Sequence, residues 1–148
     1  MAEIALTADG ERALAEAQAY CQRTNVAIVA PEHLLAGALR VLGQAGVKGL
    51  PALESLDAAI LASQGSSEDR LDANVMFGSA AREAINFTAA GVGRAGGTEI
   101  NAALIAAGTI ASGEVGPMFY AALGITKEAL LGRLAGKEGT GKSKLTAA

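Results

Sequence analysis

Aromatic residues are scarce in this 148-residue chain: three Phe, two Tyr and no Trp. That excludes an aromatic stacking platform for single-stranded nucleic acid. Basic residues are few as well, 12 Lys and Arg against 15 Asp and Glu, and they do not cluster outside the last residues. A surface that neutralises backbone phosphates is not expected, so no nucleic-acid partner is implied. The single cysteine, Cys21, excludes an intramolecular disulfide, and with one histidine, His33, there is no all-protein zinc site in prospect. A lone thiol fits a reducing cytoplasm. No uncharged apolar run reaches the roughly 18 residues that a membrane span requires. The opening stretch carries Glu3 where a secretion signal carries basic residues. The expectation is a soluble cytoplasmic protein with no membrane partner and no cofactor.

Alanine and glycine are what the chain has in abundance, 34 and 19 residues. The best helix former combined with the commonest helix stopper points to many short, closely packed helices. With 51% hydrophobic and 18% charged residues the chain is no disordered polyelectrolyte, and its length suits one domain.

Local signals divide the chain into segments. Thr7 caps a first helix from about Ala8 to Arg23, which Thr24-Asn25 ends. Val26 to Ala30 has the composition of a short strand, and Pro31 then opens a second helix carrying Leu34, Leu35, Ala38 and Leu42. From Gly46 to Gln64 the pattern is helical again, split into two pieces by Gly49 and Pro51. The polar stretch Gly65 to Arg70 marks a linker. Beyond it, Phe77, Ala81, Ala84, Ile85 and Thr88 predict a helix, and Gly91 to Gly97 a loop. Thr98 is then expected to cap a helix with Glu99 in its first turn, ending at Gly113. A piece around Met118 to Leu123 stops at Gly124, and a last one runs from Thr126 to Gly136.

The second half restarts the pattern of the first. Placing Glu32 on Glu99 gives an offset of 67, and Leu56-Asp57 on Ile125-Thr126 gives 69, as expected of an internal duplication with small insertions. The reading is all-α: two pseudo-twofold related four-helix repeats, about eight short helices, packed as one domain over residues 1–136. Repeat one spans 1–64, the linker 65–72 and repeat two 73–136, with a disordered tail at 137–148.

Two motifs imitate nucleotide sites. Gly136 to Ser143 satisfies G-x-x-x-x-G-K-[ST], but it follows an amphipathic helix rather than a strand. Gly91 to Gly96 satisfies G-x-G-x-x-G with Glu114 about 20 residues on, yet no strand precedes it. One histidine and scattered acids support no hydrolytic constellation, so no enzyme is expected. Candidate binding residues lie instead at helix starts. Glu32 and Glu99 stand at matching positions, where an acid also stabilises any helix by about 0.3–1 kcal/mol through its dipole. Thr7 supplies a hydroxyl as well as a cap, and Ser79 has the matching role in the second half. Cys21 reads as inert core, and His33 as a helix residue satisfied locally.

Particular stretches carry a family likeness. They are Leu6-Thr7, Glu11 to Ala17 and Pro31-Glu32-His33-Leu34-Leu35-Ala36-Gly37 in the first half. In the second they are Ala81 to Ile85, Gly97-Thr98-Glu99, Gly113 to Gly116 and Ala121 to Leu130. Over about residues 6 to 134 the chain resembles the N-terminal domain of the Clp ATPase chaperones, the double Clp repeat. Ile100-Asn101-Ala102 departs from that pattern where the family has H-L-L. The resemblance implies a non-catalytic module that docks adaptors and substrate proteins for an unfolding motor, with a Clp unfoldase, its adaptors or its substrates as partners. In some similar members the acids corresponding to Glu32 and Glu99 bind phosphoarginine. A carboxylate there holds the guanidinium, while a helix start and a hydroxyl such as Thr7 or Ser79 take the phosphate. Since no ATPase module follows, the expectation is a free-standing regulator or decoy, or an excised domain, and a monomer. The alternatives are a small nucleotide-binding protein using Gly136 to Ser143 and a purely structural oligomerisation domain.

Overall fold

The computed structural model describes residues 4–65 and 75–135. The linker beyond Gly65, the tail at 137–148 and the Gly136 to Ser143 motif lie outside the described residues.

Helix α1 (Ala8–Thr24) starts where Thr7 Oγ1 accepts the Gly10 amide, with Asp9 and Glu11 in its positively polarised first turn. It stops at Asn25, which takes the left-handed conformation at φ 58°. Helix α2 (Pro31–Gln44) opens on proline, and α3 (Leu53–Gln64) ends at Gly65, φ 74°. The second half holds α4 (Ser79–Arg94), α5 (Ala102–Ala111), α6 (Pro117–Leu123) and α7 (Lys127–Leu134). The all-α reading stands, with seven helices among the described residues. One piece of the expected eight is absent, because the segment between Gly46 and Ala52 is loop rather than helix. Pro51 and a left-handed Gly49 (φ 82°) keep it from joining α3.

Four two-residue strands tie the halves together. β1 (Ala5–Leu6) pairs in parallel with β4 (Glu99–Ile100), and β2 (Ile28–Val29) with β3 (Met76–Phe77). Each pair joins the strand before the first helix of one half to the strand before the second helix of the other. That reciprocal exchange is the signature of a pseudo-twofold axis.

The caps reveal the register of the duplication. Thr7 and Gly78, which precede α1 and α4, are 71 residues apart, and so are Ala30 and Asn101, which precede α2 and α5. The left-handed Asn25 and Gly96 keep the same spacing. The offset of 67 expected from Glu32 and Glu99 is therefore corrected to 71, and Ala103 stands where Glu32 does; the offset of 69 expected from Leu56-Asp57 is corrected to 74, the spacing of Ala52 and Thr126, which cap α3 and α7. Thr98 is not a cap: its carbonyl accepts the Ala5 amide at 2.9 Å, and Glu99 lies in β4. Asn101 caps α5 instead, accepting the Leu104 amide at 2.8 Å. Nor is Gly91 to Gly97 a loop throughout, since α4 runs through Gly91 and Gly93 to Arg94 before Gly96 turns it.

At the centre α2 packs on α5, flanked by α1 on α2 and α4 on α5. Leu34, Leu35, Leu39 and Val41 of α2 are buried, with Ile105, Ala106 and Ile110 of α5. Each outer helix approaches its neighbour closely at a glycine. A Cβ on Gly37 would lie 2.6 Å from the Ala13 carbonyl oxygen and 2.7 Å from the Ala17 nitrogen. Gly108, 71 residues on, abuts the side chain of Thr88, whose Cβ lies 2.7 Å from an added Cβ, where Gly37 meets main chain.

Candidate binding site

The strand pairs gather the four candidate residues into two corners. At the first, Thr7 donates its amide to the Ile100 carbonyl (3.0 Å), and its hydroxyl bonds to Asp9 Oδ1. Asp9 in turn accepts the Ala102 amide at the start of α5, 3.3 Å away. Glu99, opposite Ala5 in the strand register, is exposed there. At the second corner, exposed Ser79 begins α4 just after β3, whose partner β2 leads into α2 and Glu32. Thr7 thus shares a corner with Glu99, and Ser79 shares one with Glu32.

Glu32 is not a free carboxylate. It is buried, and its Oε2 accepts the Gly116 amide at 2.7 Å, joining α2 to the residue that caps α6 in the other half. The neighbouring His33 is wholly buried; its Nδ1 accepts the Ala30 amide at 2.9 Å, and burial pushes the imidazole down to about 4. Neutral at pH 7, the ring serves the helix start through Nδ1, so the expected local satisfaction holds for that nitrogen alone: among the described residues the buried Nε2 has no hydrogen-bond partner. Cys21 is fully buried, with its thiol pushed up to about 12 by the loss of solvent, which leaves it protonated and unreactive. No grouping of His, Cys, Asp and Glu among the described residues suits a metal ion. Among them, too, no helix is long and apolar enough to cross a membrane.

One apolar hollow opens on the second half and another between the two halves. One of about 380 Å³ lies between α4, α5 and α7, lined by Phe87, Val92, Leu104 and Leu131 among others. The other, about 240 Å³, lies under β1 and β4 against Leu14, Ile85 and Ile105.

No family model matches the sequence, and no curated protein does. The structure, by contrast, matches the N-terminal domain of the caseinolytic protease associated chaperone ClpD from Arabidopsis thaliana. The TM-score is 0.67 at 15% identity, covering 90% of this chain and 94% of that one. The chain has the fold of a Clp N-terminal domain. Within this Clp N-terminal fold the all-helical, duplicated architecture follows from the helix pattern, whereas the corners depend on pairings between residues up to 94 positions apart.

Neither hollow was found from the sequence. The signal available was Gly91 inside a helix, a small residue where the first half has Tyr20, but it is visible only once the register of 71 is known. The Glu32 bond to Gly116 had no sequence signal at all. It leads to a definite expectation: Glu32→Ala leaves the Gly116 amide without its charged acceptor and costs about 1.5–3 kcal/mol in urea unfolding. Glu32→Gln keeps an acceptor oxygen and costs less than about 1 kcal/mol. Equal losses for the two variants would show that the bond carries no weight.

Proposed function

We propose that this chain is a non-catalytic polypeptide-binding module of a Clp protease-chaperone system, engaging an unfoldase, an adaptor or substrate proteins. The Clp N-terminal fold over 90% of the chain is the observation that carries this reading. The two hollows agree with it, since they offer apolar surface of the kind that anchors peptide side chains. The candidate contacts are Thr7 with Glu99 at one corner and Ser79 with Glu32 at the other. Recognition of phosphoarginine is the narrower version. It asks the Glu32 carboxylate to exchange the Gly116 amide for a guanidinium, and in the second half Ala103 supplies no matching acid.

Affinity capture from native lysate with the full chain as bait tests the main reading. A Clp unfoldase, an adaptor or their substrates should be enriched over a bait-free control; failure to enrich any of them overturns it. Calorimetry with a phosphoarginine peptide tests the narrower one, using Glu32→Gln rather than Glu32→Ala because the latter also loosens the fold. Heat that disappears in the glutamine variant supports it, and absence of heat with the unaltered chain refutes it.

A further inference from the structure

The duplication makes each half a control for the other. On α1 the Tyr20 ring is buried at 2% exposure, with the Arg23 guanidinium 4.6 Å and that of Arg40 5.8 Å from its centroid. Arg40 is held by two acids: its Nε lies 3.4 Å from Glu16 Oε1 and its Nη1 3.8 Å from Asp57 Oδ1. A register shift of 71 carries Glu16 to Phe87, Tyr20 to Gly91, Arg23 to Arg94 and Arg40 to Ala111. Asp57 sits five residues after the cap of α3 and Leu131 five after the cap of α7, so these two correspond.

All five second-half residues line the 380 Å³ cavity. It exists because a tyrosine ring has become the hydrogen of Gly91, a guanidinium the methyl of Ala111, and two acids the apolar Phe87 and Leu131. One member of the cluster is retained. Arg94 still reaches over the vacated place, its Nη2 3.8 Å from where a Cβ on Gly91 would be. No acid lines the cavity, and among the described residues Arg94 has no hydrogen-bond or ion-pair partner.

We propose that this cavity docks a tyrosine or phenylalanine side chain of a partner polypeptide that carries an aspartate or glutamate beside it. The incoming ring occupies the place that Tyr20 fills in the first half. Arg94 stacks on it as Arg23 stacks on Tyr20, and pairs with the neighbouring carboxylate. The volume is at the small end of ligand pockets, which suits one ring and its flanking backbone rather than a large cofactor. This deepens the polypeptide-binding reading and rests on it.

The test is an NMR titration of the full, isotopically labelled chain with the peptide acetyl-Gly-Tyr-Asp-Gly-amide. Its controls have Leu in place of Tyr, or Lys in place of Asp. The Tyr-Asp peptide should shift the amides of Gly91, Gly108 and Ala111 and bind about fivefold or more tighter than either control. Gly91→Tyr refills the cavity from within. Because Gly91 is helical and the nearest atom to an added Cβ is the side-chain Nη2 of exposed Arg94, at 3.8 Å, the variant should fold and melt no lower than the unaltered chain. Its peptide affinity should fall about tenfold or more. Arg94→Gln should erase the preference for Asp over Lys. Equal affinity for the Leu peptide, undiminished binding by Gly91→Tyr, or no shifts at millimolar peptide would each overturn the proposal. Capture of Clp components by Gly91→Tyr at undiminished yield would leave the general reading standing while removing this cavity from it; loss of capture by the unaltered chain itself would remove the general reading.

Discussion

Gly37→Ala should lower stability by about 2–3 kcal/mol, a fall in Tm of about 5–10 °C for a chain of this size. The added methyl meets main-chain atoms of α1, the Ala13 oxygen at 2.6 Å and the Ala17 nitrogen at 2.7 Å, and neither can rotate away as a side chain would. Alanine's better helix propensity returns only about 1 kcal/mol. Gly43, on the same helix, has nothing within 4 Å of an added Cβ, so Gly43→Ala should raise stability by about 0.5–1 kcal/mol. Thermal and urea unfolding of the two variants side by side is the measurement. Opposite signs show that α1 and α2 are packed backbone to backbone at Gly37. A neutral Gly37→Ala would mean that the helices stand further apart.

The second large effect is on pH dependence. His33 has its pKa lowered from 6.5 to about 4 by burial. Above pH 6.5 the imidazole is neutral in both folded and unfolded chains, so its contribution to stability is fully present. As the pH falls from 6.5 towards 4 the unfolded chain takes up a proton that the folded chain refuses. Folding then loses about 1.4 kcal/mol per pH unit, about 3 kcal/mol in all, and below pH 4 this group adds no further loss. Protonation of Nδ1 would also remove the acceptor of the Ala30 amide. His33→Asn supplies an oxygen in a similar place but does not titrate, so subtracting its urea-unfolding pH profile isolates the effect. A difference profile that is flat between pH 6.5 and 4 would show that the folded protein admits the proton freely.

Helix content was legible in the sequence because its causes are local. Thr7, Pro31 and Thr126 open helices, Asn25 and Gly124 end them in the left-handed conformation, and each acts within about four residues of its own position. The burial of Cys21 followed from its place on an apolar stripe. The start of α5 misled because Thr98-Glu99 has the composition of a cap and first turn, and Asn101, three residues later, has it too. Pairing of Ala5 with Glu99 decided between them by drawing Thr98 and Glu99 into an extended strand, which leaves Asn101 to cap the helix. The same shift removed Glu99 from equivalence with Glu32.

By itself, then, the sequence determined that this protein is helical, duplicated and capped at recognisable residues. Only the tertiary structure decided which residues of the two halves correspond, that Glu32 is spent on Gly116, and that exchanging Tyr20 for Gly91 opens a cavity beneath Arg94. The division has a physical cause. A helix and its caps are held by hydrogen bonds between near neighbours, whereas the strand register joins residues 48 and 94 apart, the buried tie joins residues 84 apart, and the cavity needs three helices that meet only in the packed domain.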